Sequence, residues 1–201
     1  MIEGIGDVIR TEERAFANVG EAGLDFWFVS SSLLKVQVLK RSPLGQRDGD
    51  IMRTSFSNSK LCEAPITRTG KGQKSTLQES RCSCKHCTAY DLENWEGVTM
   101  YAFNANVSMQ DMFEYYLPPF QQCARDSRLE FIMYLYNAVN GVPTCAGEYL
   151  LQKVPRDHWN WTDQNQCVVS DCNAVHSIMG SHHYTNNLSA VTVLGVHRGD
   201  R

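Results

Sequence analysis

Two short apolar runs that end in polar residues dominate the hydrophobic pattern of this chain. Residues 131–137 and 167–172 both have the length of a strand, and each closes on groups that a core would not hold unpaired. Between them Gly141 and Pro143 break the chain, and residues 148–158 have the pattern of a helix. Strand, crossover helix and strand in this order predict a parallel βαβ unit.

Polar side chains stand where these two strands end. In parallel α/β units ligands gather at the carboxyl ends of the strands, so we expect Tyr136, Asn137 and Asp171 on one rim. Asp171 is the first candidate for chemistry, since a carboxylate there can act as nucleophile, general base or ligand. The alternative is that Asp171 only caps the next helix.

Further elements are predicted on both sides of this unit. Ser108 is expected to cap a helix that runs from residue 109 to about 125, with Asp111 in its first turn, and Pro118-Pro119 must kink or interrupt it. The remaining expectations are a helix over 9–22, strands over 24–29 and 82–86, a polar aromatic loop over 90–97, an extended segment over 101–108, a helix beginning within 176–184 and a weakly apolar tail over 190–201.

Residues 30–81 differ in composition from the rest. They are rich in Ser, Lys, Arg, Gln, Thr and Gly and show little apolar periodicity, which predicts a loop or a disordered stretch. About 50 structureless residues would be unusual inside a compact domain. We therefore divide the chain into an early helix and strand (1–29), an aberrant segment (30–81) and a set of strand and helix units (82–201).

Composition and charge exclude several classes of protein. The 201 residues carry a formal charge of −3, which favours neither nucleic acid nor an anionic membrane as a partner. No apolar run approaches the ~20 residues of a membrane span. The first seven residues lack the features of a signal peptide. Eight cysteines and sequons at Asn106, Asn160 and Asn187 are nevertheless compatible with a secreted origin.

Other candidate groups carry two interpretations each. Lys85 and His86 can donate hydrogen bonds to sugar hydroxyls, or they are a solvated Lys and a capping His. Extended, their side chains point to opposite faces unless the strand twists as it ends. Five aromatic residues either line a carbohydrate cleft or pack in the core or at its rim: Tyr90, Trp95, Trp159, Trp161 and Tyr184. Four further carboxylates are expected to be surface charges: Asp91, Glu93, Glu96 and Asp157.

A metal site is the weakest of these hypotheses. Cys82, Cys84, His86 and Cys87 invite a zinc interpretation, yet their spacing is poor for a tetrahedral knuckle and no second Cys-x-x-Cys follows. A small zinc module stays an alternative that predicts stoichiometric metal in purified protein. The leading interpretation includes no metal and no cofactor.

Together the motifs resemble the N-terminal barrel domain of fungal-type β-xylosidases of glycoside hydrolase family 3. The segments that carry the likeness lie within residues 8–28 and 82–186; they are Arg14-Ala-Phe, Asn18-Val-Gly, Cys84-Lys-His, Ala89-Tyr-Asp-Leu-Glu-Asn-Trp95, Ser108-Met-Gln-Asp111, Glu114-Tyr-Tyr-Leu-Pro-Pro-Phe120, Gln121-Gln-Cys-Ala-Arg-Asp126, Tyr136-Asn-Ala-Val-Asn-Gly-Val-Pro-Thr-Cys145, Arg156-Asp-His-Trp-Asn-Trp161 and Ser170-Asp-Cys172.

The resemblance implies a fold and a reaction. The fold is a (β/α)8 TIM-like barrel, here incomplete because such a barrel usually needs ~250 residues. The reaction is retaining hydrolysis that releases xylose from the non-reducing ends of β-1,4-xylo-oligosaccharides, with arabinosides as a side activity. By residue match Asp171 is the nucleophile, Lys85 and His86 bind sugar hydroxyls, and Tyr136 positions or stabilises the nucleophile.

The resemblance also implies what the chain lacks. The family takes its acid/base from a later domain, beyond Arg201, and its Gly- and Arg-rich segment is not recognisable within residues 30–81. Ser42-Pro-Leu-Gly45 is what a family motif gives when read one base out of register, so we hypothesise a frameshift there. The leading interpretation is a truncated, secreted xylosidase domain; the alternative is a catalytically inactive carbohydrate-binding remnant.

Overall fold

The structure is a computed structural model that describes residues 8, 11–12, 14–21, 25–29 and 81–196, with the backbone alone given at 25–29, 81–82 and 195–196. Apart from Arg81, the segment 30–81 lies outside the described residues. Its predicted disorder, the frameshift hypothesis and the proposed domain boundaries therefore stay predictions.

A parallel sheet forms the centre of the described structure. In chain order the strands are β1 (Asp25–Val29), β2 (Arg81–Cys87), β3 (Asn94–Trp95), β4 (Val98–Thr99), β5 (Asn104–Ala105), β6 (Phe131–Tyr134), β7 (Ala138–Val139), β8 (Val142–Pro143) and β9 (Cys167–Ser170). Strands β1, β2, β6 and β9 pair in that order, every pair parallel. Chain order and spatial order coincide, as in a (β/α) barrel, and the prediction of an incomplete barrel is confirmed.

Helices connect and follow these strands. They are α1 (helical at the described residues 8, 11–12 and 14–18), α2 (109–126), α3 (Tyr149–His158), α4 (Ala174–Gly180) and α5 (Leu188–Val196). The βαβ unit predicted from residues 131–172 is β6, α3 and β9, as expected. No helix in the described part of the chain combines the length and the apolar character that crossing a membrane requires.

Helix α2 begins as its sequence predicts. Ser108 is the N-cap, and its Oγ accepts a hydrogen bond of 3.0 Å from the Asp111 backbone N–H. The predicted interruption at the prolines is confirmed: one helical segment ends at Tyr116, Leu117 keeps right-handed helical dihedrals, and a new α-helical turn starts at Pro118. A proline lacks the N–H that a first helical turn leaves unpaired, so this position tolerates both.

Several boundaries differ from the prediction, and three of the differences are the most informative. Strand β6 ends at Tyr134 rather than at 137, helix α4 begins at Ala174 rather than at 176, and the predicted loop 90–97 contains most of a hairpin. The hairpin β3–β4 turns at Glu96 and Gly97, which both have positive φ. Two such residues make the turn whose twist matches paired strands.

A disulfide and a buried core fix the sheet to its helices. Cys84 on β2 is bonded to Cys123 on α2, a pairing that the sequence had left open. Ile132, Leu135, Leu151 and Trp161 are fully buried around β6 and α3. The core therefore surrounds β2 and β6, the two strands that lead to the candidate site.

Candidate active site

The carboxyl ends of β2 and β9 bring two of the predicted site residues into contact. His86 Nε2 lies 3.4 Å from Asp171 Oδ2, and the two side chains are 13% and 22% exposed. Pairing between β2 and β6 slips between Lys85 and Cys87, so the strand is irregular at His86. Such irregularities redirect a side chain at a strand end, which removes the expectation that Lys85 and His86 must diverge.

Asp171 is held by backbone groups on both sides. Its N–H donates to the Tyr134 carbonyl at 2.9 Å, and its Oδ1 accepts from the Cys172 N–H at 2.6 Å. The alternative that Asp171 caps the next helix is wrong, because the N-cap of α4 is Asn173 and it makes no side-chain capping bond. The second carboxylate oxygen, Oδ2, faces His86.

His86 is neutral at ordinary pH. Burial, reinforced by the neighbouring Lys85 ammonium, lowers the pKa of His86 to about 4, while Asp171 and Glu93 act in the opposite direction. The imidazole therefore offers Asp171 an uncharged partner, with one nitrogen able to donate and the other to accept. Its ring meets that of Tyr90 edge to face at 5.6 Å.

Tyr136 follows β6 and is hydrogen-bonded to Asp171. Burial and the Asp171 carboxylate raise the pKa of Tyr136 well above its usual value, so its hydroxyl stays protonated and donates. The Tyr136 carbonyl lies 2.6 Å from His182 Nε2, and its ring contacts that of Tyr101 at 4.8 Å. Asp171, His86 and Tyr136 thus form one connected polar group.

Asn137 does not lie on the rim with its neighbours. Its side chain is fully buried, and its Nδ2 donates to the carbonyls of Thr88 and Ala89 at 3.1 and 3.3 Å. The sequence predicted a rim position because Asn137 closes an apolar run. The strand ends earlier, at Tyr134, and residues 135–139 turn back into the protein.

The aromatic residues divide between the site and the core. Tyr90 lies beside His86, and its hydroxyl contacts Met100 Sδ at 3.0 Å and is hydrogen-bonded to Glu93. Trp159 and Trp161 are buried and line no cleft, so that interpretation is wrong for them. Trp95 and Tyr184 are exposed.

Sequence reasoning gave no role at this site to Glu93, Tyr101 and His182. Glu93 was expected to be a plain surface charge, but its carboxylate acts on both Tyr90 and His86. The other two are reached only through Tyr136. Glu93 and Tyr101 are far from Asp171 in the sequence, and His182 contacts the Tyr136 carbonyl at a sequence separation of 46, so no local spacing signals these contacts.

The cysteine arrangement bears on the zinc alternative. Cys84 is engaged in the disulfide with Cys123, and Cys87 is a buried free thiol whose pKa burial raises to about 12. Among residues with described side chains, no three His, Cys, Asp or Glu groups converge as metal ligands would. The site described above consists of protein groups that can bind, orient and attack an organic substrate.

Comparisons with known proteins agree with this arrangement. The glycosyl hydrolase family 3 N terminal domain matches residues 45–195, which includes part of the segment predicted to be aberrant. "Probable exo-1,4-beta-xylosidase bxlB" of Aspergillus fumigatus is 36% identical over 199 residues, 99% of this chain and 25% of that protein. "Exo-1,4-beta-xylosidase bxlB" of Emericella nidulans is 38% identical over 190 residues, 93% of this chain and 24% of its own.

Solved structures give the same result. A GH3 exo-β-xylosidase (XlnD) in complex with a xylobiose aziridine activity-based probe aligns with a TM-score of 0.78 and 28% identity, over 99% of this chain and 25% of that one. A β-glucosidase from Listeria innocua, at 19% identity, shares the fold with a TM-score of 0.58, over 73% of this chain and 19% of its own. This chain spans about a quarter of the length of the curated relatives it matches. The resemblance found in the sequence is confirmed: the chain belongs to glycosyl hydrolase family 3.

Proposed function

We propose that this chain carries the nucleophile and part of the sugar-binding site of a retaining exo-β-1,4-xylosidase. The observation that supports the proposal is the contact between Asp171 and His86 at the carboxyl ends of neighbouring barrel strands, with Tyr136 hydrogen-bonded to the same carboxylate. In barrel enzymes catalytic groups come from the ends of several strands.

In the proposed reaction Asp171 attacks the anomeric carbon and the glycosidic bond breaks. A glycosyl ester forms on the carboxylate, and water then releases the sugar with the original configuration. The leaving oxygen needs a proton from a second carboxyl group. In our proposal a part of the enzyme beyond Arg201 supplies it, since the relatives are about four times as long as this chain.

The neighbours of Asp171 have separate roles in this proposal. His86 donates a hydrogen bond to a sugar hydroxyl, and because the imidazole is neutral it does not neutralise the negative charge of the Asp171 carboxylate. Lys85 adds a cationic donor for a neighbouring hydroxyl. Tyr136 holds the carboxylate in one orientation, because its protonated hydroxyl donates to Asp171.

The substrate class follows from the relatives. They are named as exo-1,4-β-xylosidases, and the solved neighbour holds a xylobiose-derived probe. We therefore propose xylo-oligosaccharides, cut from the non-reducing end, as substrate, with arabinosides as a side activity.

Secretion is part of the same proposal. Disulfides persist in oxidising compartments, and Cys84 and Cys123 are bonded here. The asparagines of all three sequons, Asn106, Asn160 and Asn187, are exposed and thus accessible to glycosylation.

A catalytically inactive, sugar-binding remnant is the second candidate. In that case the site around Asp171 would bind a sugar but have no acid/base group, and lacking such a group typically lowers a rate ~10²–10⁴-fold. The two candidates differ in whether Asp171 forms a covalent bond to the sugar.

An activated xyloside tests the proposal, because its leaving group needs little acid assistance. With 2,4-dinitrophenyl β-xyloside we expect slow turnover by the 201-residue chain, reduced by about 10³-fold or more in Asp171→Asn. The control Asp157→Asn removes an exposed carboxylate on α3 and should leave turnover unchanged.

A 2-deoxy-2-fluoro xyloside gives a second readout. We expect it to add the mass of one sugar to the wild type and to Asp157→Asn, but not to Asp171→Asn. Equal background in all three proteins would support the binding remnant instead.

A further inference from the structure

Asn137 joins the ends of two barrel strands from inside the protein. It lies just after β6, and its Nδ2 donates to the carbonyls of Thr88 and Ala89, which directly follow β2, at 3.1 and 3.3 Å. Its own carbonyl accepts from the Thr144 N–H at 3.0 Å. Asn137, Thr88 and Thr144 are fully buried, so water cannot substitute for a lost bond.

The segment that Asn137 holds is in an unfavourable conformation. Ala89 has a φ of 56°, in the left-handed region that residues with a Cβ rarely occupy. Such a residue persists only where its surroundings hold it. The amide of Asn137 donates directly to the carbonyl of this alanine.

This segment separates two rings of the site. Thr88 and Ala89 lie between His86 and Tyr90, whose rings meet edge to face at 5.6 Å. His86 in turn faces Asp171 at 3.4 Å. If the backbone at 88–89 relaxed, the His86 ring would lose the support that directs it toward the carboxylate.

The unsatisfied atom of Asn137 indicates which of its bonds matters. Its Oδ1 is buried and has no hydrogen-bond partner among the described residues. A buried, unpaired acceptor destabilises a protein, and an apolar side chain would avoid that cost. The donated bonds to Thr88 and Ala89 are therefore the reason for an amide at this position.

We propose that Asn137 is a positioning residue, which clamps residues 88–89 so that His86 and Tyr90 face a sugar bound at Asp171. This inference rests on the proposed function, in which His86 binds a sugar hydroxyl. Asn137 itself touches no substrate; it acts through the backbone that follows β2.

Titration of His86 by NMR in the 201-residue chain tests the clamp. In the wild type we expect a pKa near the value of about 4 that burial and Lys85 impose against Asp171 and Glu93. In Asn137→Ala the ring should gain access to water, and its pKa should rise by about one unit or more toward the ordinary ~6.5. The substitution adds no charge, so the shift reports the surroundings of the ring.

A matched control removes a similar bond that does not reach residues 88–89. Thr144 is fully buried and its Oγ1 donates to the Leu135 carbonyl at 2.7 Å. Thr144→Val deletes this bond at nearly constant volume and should leave the His86 titration unchanged. If Asn137→Ala does not fold, Asn137→Ser, whose hydroxyl keeps one donor, should show a smaller shift in the same direction.

Xylose affinity separates the clamp from the proposed function. We expect Asn137→Ala to raise the Kd for xylose about tenfold, equivalent to ~1.4 kcal/mol. An unshifted His86 titration in folded Asn137 variants, or a shifted titration with unchanged xylose affinity, would overturn the clamp. If the wild type binds no xylose while His86 still responds to Asn137→Ala, the proposed function fails and with it the sugar-directed role, although residue 137 still holds the ring.

Discussion

The two ends of the parallel sheet use their polar groups in opposite ways. Before β6 and β9, at the amino end, Trp161 is fully buried and its Nε1 donates to the Leu129 carbonyl at 2.7 Å. Arg156 is also buried; it donates to the carbonyls of Trp161 and Gln166 at 2.7 and 3.0 Å, and its guanidinium lies 4.4 Å from the Trp161 ring. These side chains bind backbone.

At the carboxyl end the side chains contact one another. His86 and Asp171 are partly exposed and contact each other, and the buried Tyr136 is hydrogen-bonded to Asp171. At the amino end, polar side chains attach loops to the core through hydrogen bonds to backbone carbonyls. At the carboxyl end, polar side chains can bind a ligand. We therefore expect substitutions at the amino end to change stability and those at the carboxyl end to change chemistry.

Trp161→Ala should cause the largest loss of stability. Removing a fully buried indole leaves a cavity and an unpaired Leu129 carbonyl, so the free energy of unfolding should fall by about 3–5 kcal/mol. Urea denaturation measures the change, with Trp95→Ala, on the exposed hairpin, as control. Similar losses in both variants would contradict the comparison between the two ends.

Removing the disulfide should have the next largest effect. The bond between Cys84 and Cys123 closes a loop of sequence separation 39, so Cys84→Ser with Cys123→Ser should lower stability by about 3 kcal/mol. Cys172→Ser, which changes an exposed free thiol, is the control. A double variant as stable as the wild type in urea would show that the cross-link adds nothing.

Much of the fold could be read from the sequence, because its signals are local. The apolar run before Tyr134, the helical pattern over 148–158 and the cap at Ser108 all act within a few residues. The end of β6 was missed because Leu135 and Tyr136 continue the apolar run while the backbone already turns away from the sheet. Hydrophobic periodicity indicates which residues are buried, but it does not show where the backbone leaves the sheet.

The site was predictable only in part. The position of Asp171 after a strand, together with the motif around Lys85 and His86, indicated which residues matter. The burial of Asn137 depends on its contact with Thr88, at a sequence separation of 49, and Glu93 reaches His86 through an irregular loop that has no periodic pattern. No spacing along the chain encodes those contacts.

Stability should depend on pH through His86. Its pKa is about 4 when folded and about 6.5 when unfolded, so the unfolded chain binds more protons between these values. The stabilisation is complete above pH ~6.5 and is lost as the pH falls toward 4; because the ring is partly exposed, we expect about 1–2 kcal/mol.

Urea midpoints measured between pH 4 and 7 detect this dependence. His86→Gln should flatten the slope, while His183→Gln, an exposed residue beyond α4, should retain it. If the urea midpoint changed equally with pH in the wild type and in His86→Gln, protonation of His86 would not be what changes the stability of the folded protein.

The smallest effect is expected at the N-cap of α2, which lies on the carboxyl side of β2. Ser108 Oγ accepts from the Asp111 N–H at 3.0 Å, and Ser108→Ala should lower stability by about 1 kcal/mol. Ser108→Thr, whose hydroxyl can still cap and still donate to the Asp111 carboxylate, should retain most of it. Because Ser108 is exposed and bonds only within its own helix turn, the His86 titration should not move in either variant. A shift of the His86 pKa in either Ser108 variant would show that the whole carboxyl side, and not only the group around Asp171, determines the chemistry of the site.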